Sequence, residues 1–138
     1  MTISTRRLRG TLLVLALWLS ACSAVPPRPA PGQPTFTETG VASWYGRYHH
    51  GKTTAAGERF DMNRLTAAHR SLPFNTTVRV TNLENRKTVK VRINDRGPYV
   101  RTRIIDLSSR AARELGIDAN GVVQVRLEVF PSDQGGAD

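Results

Sequence analysis

One carboxylate stands at the end of an alternating stretch, VKVRINDRGPYV, residues 89–100. Val89, Val91 and Ile93 alternate with polar residues, which is the pattern of a strand with one buried face. Asp95 continues the apolar row, so the pattern predicts that it points toward the core. Apolar surroundings favour the protonated form that a general acid needs. Asp95 is therefore a candidate general acid; the alternative is that it only caps the turn that follows.

Two further polar residues could take part in acid–base chemistry. Glu58 follows small residues in TTAAGERFD, which predicts a loop position, either solvated or lining a cleft. A pair of acids is what glycosidic cleavage uses, one to protonate the leaving oxygen and one to stabilise charge on the sugar. His69, in LTAAHRSLPF, sits among small and apolar residues, where a packed, hydrogen-bonded histidine is the alternative to a functional one.

Aromatic residues accompany these candidates. Trp44, Tyr45, Tyr48 and Tyr99 lie in or beside the same segments. Aromatic faces stack on sugar rings, which makes these residues candidates for substrate binding. Because neighbours on a strand face opposite ways, one of Trp44 and Tyr45 is expected in the core.

The sequence lacks the residue patterns that bind metals or cofactors. His49 and His50 are adjacent, so their side chains would diverge on a strand, and the three histidines lack ligand spacing. No serine lies in a nucleophile-elbow sequence and no glycine-rich phosphate loop is present. The sequence predicts neither a metal nor a cofactor.

The elements that must position these residues are mostly strands. Alternating runs predict strands, a three-residue hairpin turn joins two of them, and a serine N-cap and a C-terminal glycine predict one short helix. Several short strands and one helix in about ninety residues favour a small closed barrel, because closure removes exposed edges. The predicted strands are 40–46, 76–83, 87–95, 103–107 and 121–130; the turn is 84–86 and the helix 108–116.

The N-terminus has the layout of an export signal. Three arginines precede the unbroken apolar run from Leu12 to Leu19, which is too short to span a bilayer. The run ends in Leu-Ser-Ala before Cys22, which resembles a bacterial lipobox and predicts lipidation of that cysteine. Several acyl chains on one cysteine make a stable membrane anchor. Ser23, in the place where aspartate would favour inner-membrane retention, favours the outer membrane facing the periplasm.

The predicted organisation is a signal peptide (1–21), a lipidated cysteine with a proline-rich tether (22–38), one domain (39–131) and a disordered tail (132–138). The whole chain carries a formal charge of +9, and loss of residues 1–21, with three arginines and no acid, leaves +6. In the cell envelope this charge would meet anionic lipid or cell-wall polymer, and nucleic acid is not an expected partner.

Four motifs together resemble one known family. They are A-S-W-Y-G, H-G-x-x-T-A-x-G-E, T-A-A-H-x-x-L-P and N-D-R-G-P, in that order between Gly40 and Phe130. The chain resembles the rare lipoprotein A family, and the lipobox agrees with this. The resemblance implies a mainly β fold, a six-stranded double-psi β-barrel with one or two short helices. It also implies a lytic transglycosylase that cleaves between N-acetylmuramic acid and N-acetylglucosamine in peptidoglycan, without water, leaving a 1,6-anhydro end.

The resemblance further implies a functional set of Glu58, His69 and Asp95. In this set Asp95 is the general acid, Glu58 polarises the site or stabilises the oxocarbenium-like state, and His69 orients a carboxylate. Arg96 of the N-D-R-G-P motif joins the aromatic residues as a substrate-binding candidate. The implied partner is peptide-free glycan, and a monomer is expected.

The alternative function is a non-catalytic, expansin-like module that binds peptidoglycan, because the barrel is shared with expansin-like proteins that loosen walls without cleaving them. Many members of the family carry a C-terminal sporulation-related repeat that binds glycan at the septum. This chain stops after the barrel, so targeting by that route is not expected.

Overall fold

The computed structural model describes residue 27, residues 30–117 and residues 121–133. The predicted signal peptide, Cys22 and residues 134–138 of the predicted tail lie outside the described residues. No helix in the described part of the chain is long and apolar enough to cross a membrane. The elements are β1 (Phe36–Tyr45), β2 (Thr66–His69), β3 (Thr77–Asn82), β4 (Thr88–Asp95), β5 (Arg103–Ser108), α1 (Ser109–Leu115) and β6 (Val123–Val129), with short 3-10 turns at Arg47–His49 and Pro131–Asp133.

The six strands close into one barrel in the order β1-β5-β2-β4-β3-β6. Strand β6 completes the ring by pairing with β1, so neither strand is left as an open edge. The pairs β1–β5 and β2–β4 are parallel and the remaining pairs are antiparallel. The predicted six-stranded barrel with one short α-helix is confirmed.

The core fills the inside of the barrel with branched aliphatic side chains. Strands β3, β4 and β6 each supply every second residue, as period-two alternation requires. The innermost side chains, each less than 2 % exposed, include Val78, Val80, Val91, Ile93, Ile105, Leu107, Leu115, Val125, Leu127 and Val129.

Strand β2 is absent from the pattern-based prediction. Its sequence is Thr-Ala-Ala-His, and all four residues are buried, so no alternation marks it. The strand pairs with β4 on one side and β5 on the other, which leaves no solvent-facing row to supply polar residues.

Strand β1 begins before the predicted domain boundary. Phe36, Thr37 and Glu38 pair with the end of β6 and belong to the barrel, whereas the sequence predicts a tether up to residue 38. Only one of these three residues is hydrophobic, so no local pattern predicts the strand. This part of β1 is extended because it pairs with β6.

Helix α1 has the predicted caps. The Ser108 hydroxyl accepts a hydrogen bond from the Ala111 N–H, and Gly116 adopts the left-handed conformation with φ of 75°. The Leu115 carbonyl accepts hydrogen bonds from the side-chain amides of Asn82 and Asn85, both at 3.1 Å. The β3–β4 hairpin therefore ties the end of the helix to the barrel.

The end of α1 gives a test of this packing. A Cβ added at Gly116 would lie 2.6 Å from the Asn85 side-chain nitrogen, and φ there is unfavourable for any side chain. We expect Gly116→Ala to lower the free energy of unfolding by about 2–3 kcal/mol, measured by urea denaturation. Gly51→Ala is the control: φ is 80° but nothing lies within 4 Å, so only the backbone cost of about 1–2 kcal/mol should remain. Equal losses for the two variants would contradict the steric contribution.

Candidate active site

The candidate site is a row of residues in register across four neighbouring strands. Ala68 of β2 pairs with Asp95 of β4 on one side and with Asp106 of β5 on the other. Asp106 in turn pairs with Ser43 of β1. All four residues line one cleft of about 630 Å³, a volume within the usual range of ligand sites. Because adjacent strands lie about 4.8 Å apart, the two aspartate backbones are roughly 10 Å apart across Ala68.

A β-bulge corrects the predicted direction of Asp95. Ala67 pairs with Ile93 but Ala68 pairs with Asp95, so β4 has one extra residue, Asn94, at this point. Ile93 is in the core, and alternation without the bulge would put Asp95 there too. The extra residue reverses the alternation, and Asp95 lines the cleft as a half-buried side chain.

One carboxylate oxygen of Asp95 is held by the backbone. Asp95 Oδ1 accepts hydrogen bonds from the Ala55 N–H at 2.9 Å and the Arg96 N–H at 2.8 Å. The bond from Arg96 matches the turn-capping role considered from the sequence. Within the described ranges no hydrogen bond to Oδ2 is present, so one oxygen is fixed and the other is available in the cleft.

Asp106 is the residue of this site that the sequence analysis missed. Burial raises the pKa of its carboxyl group, and the nearby Arg103 guanidinium only partly opposes this. The Arg103 Nη2 group donates a long hydrogen bond of 3.5 Å to Asp106 Oδ2. Arg103 Nε lies 3.2 Å from Asp106 Oδ1, but neither of these two atoms has a hydrogen-bond partner among the described residues. The signal that could have revealed it is a carboxylate between two apolar residues, Ile105 and Leu107, in a short strand.

Tyr45 places a hydroxyl near both acids. Burial raises the pKa of this hydroxyl, and the charges of Asp95 and Asp106 raise it further. The Tyr45 hydroxyl is buried without a hydrogen-bond partner in the part of the chain that the structure describes. It shares the cleft with Asp106 Oδ1 and Arg103 Nε, so three polar atoms there are left to bind a ligand or water.

Glu58 lies beside the cleft rather than in its lining. Its Oε1 accepts hydrogen bonds from Arg92 at 2.7 Å and from the Asn94 side chain at 2.6 Å. The hydrogen bond from Arg92 holds the pKa of Glu58 below its usual value. The same loop donates Ala55 N–H to Asp95, so it contacts both the bulge residue and the acid next to it.

His69 is 4 % exposed and does not line the cleft. Its Nδ1 accepts hydrogen bonds from the Ser71 and Leu72 N–H groups, so Nε2 carries the proton and donates to Glu38 at 3.1 Å. The carboxylate that contacts His69 is therefore Glu38. The structure does not bring His69 together with Asp95.

The substrate-binding candidates divide between the cleft and its surroundings. Trp44, Tyr45 and Tyr99 all line the cleft. One of Trp44 and Tyr45 was expected in the core, but neither is there. Trp44 and Tyr45 are the last two residues of β1, where the strand leaves the core. Tyr48 is 81 % exposed outside the cleft, with the Lys52 ammonium 3.6 Å from its ring centroid.

Arg96 lines the cleft, but its guanidinium is already engaged. It stacks 3.8 Å from the Phe74 ring centroid and donates to the Leu72 carbonyl at 2.8 Å and the His69 carbonyl at 3.3 Å. Arg96 directly follows Asp95, so these bonds fix the turn after Asp95 to the end of β2 and the segment that follows it.

Within the described ranges, no group of three metal-binding side chains is found.

A protein family and several curated bacterial proteins match the barrel region of the chain. The family described as lytic transglycolase matches residues 37–127. The chain is 55 % identical over 94 residues to an endolytic peptidoglycan transglycosylase, RlpA, of Campylobacter jejuni, covering 68 % of this chain and 34 % of that protein. It is 55 % identical over 93 residues to RlpA of Neisseria meningitidis, covering 67 % and 39 %. The chain thus spans about a third of the length of the curated relatives that it matches.

Solved structures with the same fold are more distant. A Streptomyces papain inhibitor superposes with a TM-score of 0.55 at 22 % identity, covering 70 % of this chain and 96 % of the inhibitor. A point mutant of a Clavibacter michiganensis expansin in complex with cellohexaose superposes with a TM-score of 0.58 at 20 % identity, covering 73 % and 54 %. At this identity the likeness establishes the double-psi barrel fold alone.

The raised pKa of Asp106 predicts the sign of a pH-dependent stability change. A folded-state pKa above the unfolded value of about 3.9 means that ionising this group costs stability as the pH rises. We expect Asp106→Asn to unfold at a higher temperature than wild type at pH 7, with the difference shrinking as the pH falls through the raised pKa of Asp106 and gone below about 4, measured by calorimetry across pH. A variant that is less stable by the same amount at every pH would show that the Arg103 ion pair dominates instead.

Proposed function

Since the chain belongs to the rare lipoprotein A family of lytic transglycosylases with a double-psi barrel, we propose that it cleaves the peptidoglycan glycan strand between N-acetylmuramic acid and N-acetylglucosamine. The product is a 1,6-anhydro end, formed without water. The observation that carries the proposal is the position of Asp95, in the cleft with one carboxylate oxygen held and the other available. This activity fits the remodelling of the wall between dividing cells.

The first chemical step needs a proton at the glycosidic oxygen. Asp95 donates it from the free oxygen, the bond to the leaving sugar breaks, and positive charge develops on the ring carbon. Asp95 is then a carboxylate. It takes the proton from the 6-hydroxyl of the same sugar as that oxygen bonds to the ring carbon. Proton donor and proton acceptor are one group, so it ends in the state in which it began.

Asp106, Tyr45 and Arg103 take the role of binding the sugar beside the bond that is cut. One buried atom of each lacks a hydrogen-bond partner among the described residues: Asp106 Oδ1, the Tyr45 hydroxyl and Arg103 Nε. All three residues line the cleft with Asp95. Sugar hydroxyl groups both donate and accept hydrogen bonds, so they match a carboxylate, a phenol and a guanidinium. Trp44 and Tyr99 supply aromatic faces at the same cleft.

Glu58 and His69 act as positioning residues. Glu58 binds Asn94, the bulge residue that directs Asp95 into the cleft. The His69 carbonyl accepts from Arg96, which follows Asp95 in the turn. Their contribution is to hold the acid within the tolerance that catalysis requires.

The proposal extends to the place of action. A lipidated Cys22 after an apolar run would anchor the barrel to the outer membrane on its periplasmic side, and the proline-rich segment would carry it toward the wall. The positive charge supports binding to an anionic polymer.

Asp95→Asn separates catalysis from turn capping. Asparagine keeps an oxygen that can accept from Ala55 and Arg96, so the fold should be retained, but it cannot transfer a proton. We expect release of 1,6-anhydro ends from purified peptide-free glycan to fall by about 100- to 10,000-fold, measured by mass spectrometry of the products.

The control for this variant is Asp61→Asn. Asp61 is a half-buried carboxylate that accepts from the Asn63 N–H and does not line the cleft, so activity should stay at the wild-type level. Normal turnover by Asp95→Asn with a normal thermal midpoint would remove Asp95 from the mechanism. Wild-type protein that binds glycan but releases no anhydro ends would favour the expansin-like, non-catalytic function.

Cys22→Ala tests the anchor. Without the thiol there is no site for acylation, so we expect the precursor to remain unprocessed or to leave the membrane fraction. Metabolic labelling with palmitate and fractionation of the envelope measure both effects. Normal labelling and membrane recovery of the variant would contradict the lipobox interpretation.

A further inference from the structure

A second groove lies on the far side of Trp44 from the acids. Its volume is about 360 Å³, and its wall includes the side chains of Arg47, Ala112 and Arg113. Trp44 lines this groove and also the cleft that contains Asp95. A ligand that extends along Trp44 can therefore occupy both.

Two arginines of this groove have no ion-pair partner within the described ranges. Arg47 follows β1 and Arg113 lies in the last turn of α1, and both are exposed. Their neighbour Arg110 differs, because it pairs with Glu114 at 3.0 Å and donates to the Asn63 carbonyl. The groove is thus positive while the nearby helix surface is neutralised.

The rest of the groove is apolar or small. Met62 and Ile117 supply apolar surface, and Ala112 of α1 adds a small apolar side chain. Ser109 is 4 % exposed, and its hydroxyl has no hydrogen-bond partner in the described part of the chain. A ligand that matches this lining has a carboxylate beside small apolar groups, attached to a ring that can stack on Trp44.

A sugar of the bacterial wall has this chemistry. N-acetylmuramic acid carries a lactyl ether with a methyl group and, where no peptide is attached, a free carboxylate. A peptide joined to the lactyl group converts that carboxylate to a neutral amide and adds bulk. The groove would therefore distinguish peptide-free sugars from substituted ones by charge.

We propose that this groove is a binding subsite in which Arg47 and Arg113 bind the free lactyl carboxylate of a muramic acid residue. This residue lies at a different position along the strand from the bond held at Asp95. The inference rests on the proposed function for its substrate class. It assigns the preference for peptide-free glycan to two named residues outside the cleft of the acids.

The test is equilibrium binding, independent of cleavage. The full chain carrying Asp95→Asn is titrated with peptide-free glycan strands, and with the same strands after the lactyl carboxylates have been coupled to methylamine. We expect Arg47→Gln and Arg113→Gln each to weaken binding of the carboxylate strands by about threefold to fivefold. The amidated strands should bind more weakly than the carboxylate strands to the protein with both arginines. Replacing both arginines together should not weaken binding of the amidated strands further.

Arg126→Gln is the matched control. Arg126 is an exposed arginine of β6 that does not line the groove, so its loss changes net charge by the same amount. An equal effect from Arg126→Gln, or equal losses by Arg47→Gln and Arg113→Gln on both kinds of strand, would overturn the proposal in favour of general attraction. Carboxylate-dependent binding without any anhydro product from wild-type protein would leave the subsite standing and reject the transglycosylase activity alone.

Discussion

The candidate site depends on one backbone constraint, the position of Ala68 between two strands of opposite direction. It pairs in parallel with Asp95 and antiparallel with Asp106, and a closed barrel lets neither strand slide away. The Asn94 bulge is what turns Asp95 from the core into line with Ala68. Only the methyl side chain of Ala68 lies between Asp95 and Asp106. Both acids therefore face one cleft, at a separation set by the spacing of the strands.

The carboxylates around the barrel have different environments and so different chemistry. Glu58 is held ionised by Arg92 and supports the bulge through Asn94. Asp106 is buried, which favours its protonated form, and its pairing with the Arg103 guanidinium only partly opposes this. Asp95 has one oxygen fixed by N–H groups and one available. In the proposed mechanism these three acids serve positioning, binding and proton transfer, because their neighbours differ.

The arginines follow the same division of labour. Arg92 and Arg96 are engaged with protein groups and hold the loops on either side of Asp95. Arg47 and Arg113 line a groove without ion-pair partners among the described residues. Net positive charge alone would favour any anionic polymer. In the proposed subsite, the position of Arg47 and Arg113 next to Trp44 directs that charge toward one part of a sugar strand.

The sequence by itself determined the β class, the β3–β4 hairpin and the caps of α1, because these depend on alternation and on residues near in sequence. Alternation also made Asp95 a candidate, but it predicted the wrong direction for the side chain. The motifs also indicated the family. Tertiary structure decided the rest. β2 has no alternation because it is buried by partners on both sides, and the start of β1 exists only through β6. Asp106 joined Asp95, and His69 turned to Glu38, through pairings between distant segments. Strand register is a long-range property, and a shift of one residue, as at Asn94, reverses which side chains meet.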